Sequence, residues 1–204
     1  RVWAELRKLL VTSRAAETLQ AMAGAGLLMP VIGGVPRLAR FAAIADGPGE
    51  GVYPAFRLAA LAVAVSEDAL RLRERLRLSN AEFERVSGIA AALEALSGRR
   101  ELPGIAAVRR LAHRIGTDAV AGGLVLLGAG ETAADIQTLI AELARTPPFL
   151  PTGKDVLALG VTAGPEVGQV LDTAREAWIE AGCPAGREEQ IGILASAASS
   201  LRGA

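Results

Sequence analysis

Apolar residues recur every three to four positions along most of this chain. The strict alternation of apolar and polar residues that indicates a half-buried strand is scarce. Ala, Leu, Arg and Glu are frequent, and these residue types favour helix. The pattern therefore predicts an all-α fold, a multi-helix array of short helices with an elongated body and a small C-terminal helical tail.

Capping and breaking residues set the predicted ends of the helices. Ser79 and Glu82 form a capping-box pattern, and Ser13 and Ser66 are the expected N-caps of two other helices. A Gly- and Pro-rich loop is expected at 46–51, and a buried connection at 27–30. The predicted helices are 1–11, 14–24, a short one after Pro36, 54–65, 67–78, 80–96, 105–115, 117–127, 132–145, 154–159, 165–181 and 187–201.

Composition narrows the classes of protein to consider. With 51% hydrophobic residues the chain is expected to fold, and with 3% aromatic residues it offers few platforms for stacked bases. The 22 basic and 22 acidic residues cancel, so a nucleic-acid interface would need local clusters of positive charge. Most basic residues are Arg, which binds phosphate well, although a GC-rich genome explains the same bias.

The scarcity of Cys and His excludes two kinds of site. Cys183 and His113 are single copies, so an intramolecular disulfide and a Cys/His metal cage are excluded. We expect a buried or loop position for Cys183, and a surface rather than a catalytic role for His113. The apolar runs are shorter than the about 20 residues of a membrane span, so no membrane association and a cytoplasmic setting are predicted.

Two patterns invite a functional interpretation but have plainer alternatives. Residues 128–133 spell G-x-G-x-x-A, a dinucleotide-binding variant that would support an autonomous enzyme if 124–127 were a strand. The second strand that such a site requires is missing, so a corner between helices is favoured. Arg71, Arg73, Arg75 and Arg77 spread around a helix, and they could face solvent or a phosphate backbone.

The stretch 152–168 is the most informative part of the sequence. It reads as a tight helical hairpin in which Gly160 follows one helix, and Gly164 and Pro165 open the next. Small residues at a helix start leave amide groups accessible to a phosphate, and Lys154 lies nearby in sequence. The alternative is a turn that only joins two helices.

This stretch resembles the C-terminal part of bacterial tRNA nucleotidyltransferases, the CCA-adding enzymes, and of the related poly(A) polymerases. Its residues follow the family pattern T-G-[KR]-D-[LV]-x-x-x-G-x-x-x-G-P-x-[VI]-G. Residues 1–10 resemble the family's E-R-[IV]-x-x-E-L-x-K-[LI]-L segment, 21–28 its x-M-x-x-x-G-[LV]-L segment, and 76–82 its L-R-L-S-N-A-E segment. The matches occur in the family's order along nearly the whole chain.

The resemblance implies a division of the chain and a partner. Residues 1–30 would be the end of a neck in an RNA-binding segment, 31–146 a helical body, and 147–204 a tail with the glycine-rich hairpin. Body and tail would hold the acceptor and T arms of tRNA by backbone contacts, because double-stranded RNA hides its base edges. The residues expected to bind RNA are Lys154, Thr152, Gly153, Gly160, Gly164 and Gly168 of the matching stretch. Arg109 and Arg110 join them because they belong to a basic cluster that could face a phosphate backbone.

The resemblance also implies where the chemistry of the family lies. A head with a G-S motif and a D-x-D pair binds metal ions and nucleotide, and an E-D-x-x-R segment in the neck selects CTP or ATP. These parts are expected to precede Arg1, whose helical pattern begins without an N-cap. We therefore expect a fragment that is inactive alone and needs no cofactor, with Mg²⁺ in the missing head of an enzyme that adds CCA, or part of it, to tRNA.

Zero net charge and abundant Ala and Leu favour a different function as well. A helical scaffold for protein–protein contacts or homodimerisation, without RNA affinity, would have the same composition. Some members of the family self-associate, so the two functions are compatible.

Overall fold

The computed structural model describes residues 1–45, 53–98, 101–128 and 133–202, and within them it contains thirteen helices and no strand. The predicted all-α, multi-helix fold is therefore confirmed. The helices are α1 (Val2–Leu10), α2 (Ala15–Gly24), α3 (Leu28–Ile32), α4 (Leu38–Ala45), α5 (Pro54–Ala62), α6 (Ser66–Leu76), α7 (Asn80–Leu96), α8 (Ile105–Ile115), α9 (Thr117–Leu127), α10 (Ala133–Ala144), α11 (Gly153–Ala158), α12 (Pro165–Glu180) and α13 (Arg187–Arg202).

Three local predictions were wrong for identifiable reasons. Ser13 does not cap α2, since Arg14 precedes its first turn and no side chain caps it. The expected connection at 27–30 is the start of α3, where Pro30 lies in the first turn and its missing N–H has no cost. Ser66 is the first residue of α6, and the Asp68 carboxylate instead accepts the Ala64 and Val65 amides at 2.6 and 3.2 Å.

The two candidate loops lie mainly outside the described residues. The expected loop at 46–51 is outside them, as is most of the G-x-G-x-x-A stretch, at 129–132. Residues 124–127, considered above as a strand, are the last residues of α9. In the part of the chain that the structure describes, no strand therefore leads into that glycine stretch.

The chain forms two compact units. Unit 1 comprises Arg1–Pro103 and Leu111–Ala141, and unit 2 comprises Gly104–Arg110 and Glu142–Ala204. No helix in the described ranges is both long and apolar enough to span a membrane.

Arginine side chains donate hydrogen bonds to carbonyls at the C-terminal ends of several helices in unit 1. Arg40 donates to the carbonyls of Ala59 and Ala60, both at 2.8 Å, and to that of Val63, where α5 ends. Burial of this guanidinium and the nearby charge of Arg37 lower the pKa of Arg40 to about 10, against the opposite effect of Asp68. Carbonyls at the end of a helix lack an intrahelical partner, so Arg40 satisfies those of Ala60 and Val63, while the Ala59 carbonyl also accepts the Val63 amide at 3.0 Å.

Arg57, Arg71 and Arg75 have the same role in unit 1. Arg57 donates at 2.7 Å to Leu10, the last residue of α1, and at 3.4 Å to Ala45, the last residue of α4. Arg71 donates to the carbonyls of Ile32 and Ala62, near the ends of α3 and α5. Arg75 donates to the carbonyl of Pro30 in α3. Most helices of unit 1 lack a basic residue in their own last turn, so long-range arginines supply this charge.

A hydrogen bond from the first helix anchors it to the predicted capping box. The Ser79 amide and hydroxyl donate to Glu82 at 2.9 and 2.8 Å, which confirms the box, and the Trp3 indole donates to the other Glu82 oxygen at 2.8 Å. Desolvation raises the pKa of Glu82, but these hydrogen bonds and the charge of Arg7 outweigh it, so the pKa lies below its usual value. One carboxylate thus caps α7 and holds α1.

The core of unit 2 lies between α11, α12 and α13. Val156, Val170, Ala174, Leu194 and Ala198 form it, and Val161 from the turn after α11 joins them. These residues fix the hairpin between α11 and α12 from its inner side.

Candidate nucleic-acid interface

The candidate interface is the glycine corner, which we define as residues 152–168 of unit 2. It begins at Thr152, whose amide and hydroxyl donate to the Asp155 carboxylate at 2.8 and 2.7 Å. The Arg187 guanidinium donates to the other Asp155 oxygen at 2.7 Å. The hydrogen bonds from Thr152 are the main cause of the lowered pKa of Asp155, and Arg187 adds to it against a small effect of desolvation.

The contacts of Asp155 determine whether its carboxylate neutralises the charge of the neighbouring Lys154. In sequence its charge appears cancelled by the neighbouring Asp155. In the structure the Asp155 carboxylate is bound by Thr152 and Arg187, while the Lys154 side chain is exposed and has no ion-pair partner among the described residues. The ammonium group is therefore available to an external anion.

The glycines of the corner lie on its outer side. Gly160, Gly164 and Gly168 are all exposed, and a Cβ added at any of them would meet no atom within 4 Å. Gly160 has φ 82° and Gly164 has φ 154°, both in the region that glycine adopts most readily. The corner thus presents bare backbone to solvent, while Val156, Val161 and Val170 beneath it are buried.

Gly168 differs from its neighbours because the fold does not require it. It lies inside α12, its φ is not in the left-handed region, and no atom limits the size of its side chain. A glycine inside a helix costs about 1 kcal/mol relative to alanine. Packing within unit 2 gives no reason to accept that cost, whereas close approach of another molecule's backbone would.

Gly153 has a weaker structural reason to be glycine. It is the first residue of α11, and an added Cβ would lie 3.4 Å from a methyl carbon of Val167. That is an ordinary van der Waals contact, so the packing between α11 and α12 tolerates a side chain here.

The start of α12 carries features that favour and oppose an anion. Gly164 provides no side-chain cap and Pro165 has no amide, so amide groups of the first turn lack a side-chain acceptor. Glu166 in the same turn is exposed, and its carboxylate would repel a phosphate. The electrostatic attraction of the corner for an anion is therefore modest.

Arg109 and Arg110 are used within unit 2 and are not part of the corner. Arg109 donates to the Thr146 hydroxyl at 3.0 Å and to the Gly182 carbonyl at 3.3 Å. Arg110 donates to Glu176 at 2.8 Å and also pairs with Glu180. Glu176 is about 12 Å from Gly168 along α12, at about 1.5 Å per residue, so the predicted residues do not form one cluster.

The sequence interpretation missed Gln190, which fixes the approach to the corner. Gln190 is fully buried and accepts the Leu150 amide at 2.7 Å. Its amide group donates to the carbonyls of Pro148 and Pro184 at 3.2 and 2.9 Å. A polar residue on the otherwise apolar stripe of α13 is the signal that could have revealed it, because a buried amide needs partners.

Other residues considered above lie outside any such site. Cys183 is buried and has φ 63°, and burial raises the pKa of its thiol although Arg109 opposes this. His113 is exposed on α8. No group of His, Cys, Asp and Glu side chains suited to a metal ion is found in the described ranges.

The G-S, D-x-D and E-D-x-x-R motifs were all expected to precede Arg1, but the pattern E-D-x-x-R also occurs inside the chain. Residues 67–71 spell E-D-x-x-R. In the structure Asp68 and Arg71 pair with each other, Asp68 caps α6, and Arg71 donates to carbonyls at the ends of α3 and α5. Both side chains therefore stabilise unit 1, and their polar groups are not free to select a nucleotide.

Comparison with known proteins adds no assignment, since no protein-family model and no curated protein sequence matches this chain.

Proposed function

We propose that this chain is the tRNA-binding region of a tRNA nucleotidyltransferase and that the glycine corner contacts the sugar–phosphate backbone of tRNA. The resemblance of residues 1–10, 21–28, 76–82 and 152–168 to that family, in the same order, motivates the identity of the ligand. The observation that carries the proposal is that Gly160, Gly164 and Gly168 all expose bare backbone in the same short segment that contains the exposed Lys154.

The chemistry of the corner suits a helical RNA better than an unpaired strand. Base-specific binding of single strands uses exposed aromatic rings. In the described residues of unit 2, Phe149 and Trp178 pack against each other with ring centroids 5.5 Å apart, and Arg175 lies over Phe149 at 4.9 Å. The corner offers backbone amides and one ammonium group, which contact phosphate and ribose without reading bases.

The first test is a comparison of two helical glycines of unit 2. Gly168 and Gly192 both lie in helices, are exposed, and have no atom within 4 Å of an added Cβ. Both Gly168→Ala and Gly192→Ala should raise the free energy of unfolding by about 0.5–1 kcal/mol. Only Gly168→Ala should weaken tRNA binding, which fluorescence anisotropy with labelled tRNA would measure.

The second test removes the cation of the corner. Lys154→Ala should weaken tRNA binding and reduce the slope of log K against log salt by about one. Arg145→Ala, which removes an exposed cation of unit 2 outside the corner, is the matched control and should leave the slope unchanged. A folded protein that binds no tRNA at low salt, or for which Gly168→Ala and Lys154→Ala bind as the wild type does, would contradict the proposal.

A dimerisation scaffold remains a second candidate because unit 2 exposes apolar side chains. Leu150, Leu157 and Leu201 are 37%, 46% and 39% exposed. Light scattering after size exclusion would reveal a dimer, and Leu157→Ser would dissociate it if this surface forms the contact. A dimer with no affinity for tRNA would favour the scaffold over the RNA-binding region.

A further inference from the structure

Unit 1 contains a cleft, whereas the glycine corner belongs to unit 2. The cleft has a volume of about 1060 Å³ and lies between the start of α5, one side of α7 and the junction of α8 with α9. This is slightly above the range of about 300–1,000 Å³ that is typical of small-ligand sites. Because every lining residue belongs to unit 1, the cleft is complete within one compact body.

An exposed aromatic ring forms one wall of the cleft. Tyr53 is 58% exposed although it is a large side chain, and the Arg85 guanidinium lies over its ring at 4.5 Å from the centroid. An aromatic ring and a guanidinium plane are the two side-chain surfaces on which unpaired bases stack. In the described part of the chain, the other aromatic residues of unit 1 are buried or half-buried.

The other lining residues include apolar side chains that are largely buried and two acidic side chains that are exposed. Phe56, Ile89 and Val125 are buried or half-buried, whereas Glu84 and Asp118 are exposed. The lining carries two carboxylates and one guanidinium, and this balance of charge disfavours a phosphate in the cleft. The two carboxylates suit a planar group that donates N–H, such as the exocyclic amino group of adenine, cytosine or guanine, because carboxylates accept from such groups.

We propose that this cleft binds an unpaired nucleobase that carries an exocyclic amino group. The base stacks on the Tyr53–Arg85 surface with its apolar ring toward Phe56 and Ile89, and its amino group donates to Glu84 or Asp118. The sugar and phosphate remain outside the cleft, away from the carboxylates. This ligand differs from the duplex backbone assigned to the glycine corner, and the site does not depend on that assignment.

The test uses the whole chain and fluorescently labelled single-stranded RNA hexamers of A, C or U. Anisotropy should show binding of the A and C hexamers with little dependence on salt, and severalfold weaker binding of the U hexamer. Tyr53→Ala should weaken binding of the A hexamer at least about fivefold, since stacking contributes about 1–3 kcal/mol per base. Tyr53→Phe should keep most of the affinity because it retains the ring.

Two controls separate this site from other causes. Leu70→Ala removes an exposed apolar side chain of unit 1 outside the cleft and should bind hexamers as the wild type does. Lys154→Ala should affect tRNA but not the hexamers, which distinguishes failure here from failure of the corner. The proposal is overturned if the folded wild type binds no hexamer, if Tyr53→Ala binds normally, or if the U hexamer binds as well as the others.

Discussion

Glycines and basic residues each have two different uses in this protein, and only the surroundings of each residue distinguish these uses. An added Cβ at Gly33 would lie 2.8 Å from the Arg75 side chain, so this glycine makes room for an arginine that caps α3. Gly168 makes room for no residue of the chain. Likewise the Arg40 guanidinium is used within unit 1, whereas the Lys154 ammonium faces solvent. The surroundings of Gly33 and Arg40 thus explain their residue types within the fold, whereas those of Gly168 and Lys154 do not.

A prediction at the residue scale concerns the carboxylate in the first turn of α12. Glu166→Gln should strengthen tRNA binding, because it removes a negative charge beside Gly164 and Gly168. Glu188→Gln removes an equivalent exposed charge from the first turn of α13 and is the control. Titration of labelled tRNA at low salt measures both. Equal affinities for the two variants would place the RNA away from the glycine corner.

At the scale of elements, small residues determine how closely α7 and α9 pack. A Cβ added at Gly88 would lie 2.9 Å from the Ala119 Cβ, and a Cβ added at Gly123 would lie 2.6 Å from the Ala92 Cβ. Neither neighbour has a flexible end that could move aside. The two helices therefore pack at a distance that only glycine permits, and this packing also shapes the floor of the cleft in unit 1.

The prediction that follows is a steric one. Gly123→Ala should lower the free energy of unfolding by about 1–3 kcal/mol, because overpacking a close helix contact forces the backbones apart. Gly24→Ala, at the end of α2 with no atom within 4 Å of the added Cβ, should have little or no destabilising effect. Urea unfolding monitored by circular dichroism measures both. A neutral Gly123→Ala would show that α7 and α9 can separate at little cost.

At the scale of the whole molecule, carboxylates hold helix starts in both units. Asp68 and Glu82 cap α6 and α7 in unit 1, and Asp155 caps α11 in unit 2. Desolvation acts against ionisation of Asp68, but its hydrogen bonds with Arg71, Ala64 and Val65 and the charge of Arg71 prevail and lower its pKa. Hydrogen bonds from Ser66 lower the pKa of Glu94 in the same direction.

These shifts predict the response of the protein to acid. A carboxyl group whose pKa is lower in the folded than in the unfolded state stabilises the fold fully above its unfolded pKa, which is about 4. This contribution is lost as the pH falls from about 5 through the folded pKa. Thermal unfolding temperatures should therefore be flat near neutral pH and fall steeply below about pH 5.

A single substitution tests the assignment of this acid sensitivity. Glu82→Gln should destabilise the protein at pH 7 and should show a shallower loss of stability in acid than the wild type, since one titrating cap has been removed. Differential scanning fluorimetry at several pH values would reveal this. An unchanged acid profile would show that Glu82 does not contribute to it.

The sequence by itself determined the fold class and most of the helix positions. The 3.6-residue spacing of apolar side chains is a local property, as are the Ser79–Glu82 capping box and the break at Gly116, so α4, α7, α8, α9 and α12 were found within a few residues. The same holds for the turn glycines at 160 and 164, whose backbone conformation a side chain would hinder. These features depend on residues within one or two turns of each other.

Tertiary structure alone decided which polar groups are available. The sequence grouped Arg109 and Arg110 with Lys154, but Thr146, Gly182, Glu176 and Glu180 bind the two arginines, and only folding brings those partners near. Gln190 and the Tyr53–Arg85 surface were missed for the same reason, because their partners lie on other elements. A local pattern fixes where helices begin and end, whereas the pairing of charges and the exposure of a ring depend on distances between elements that are remote in sequence.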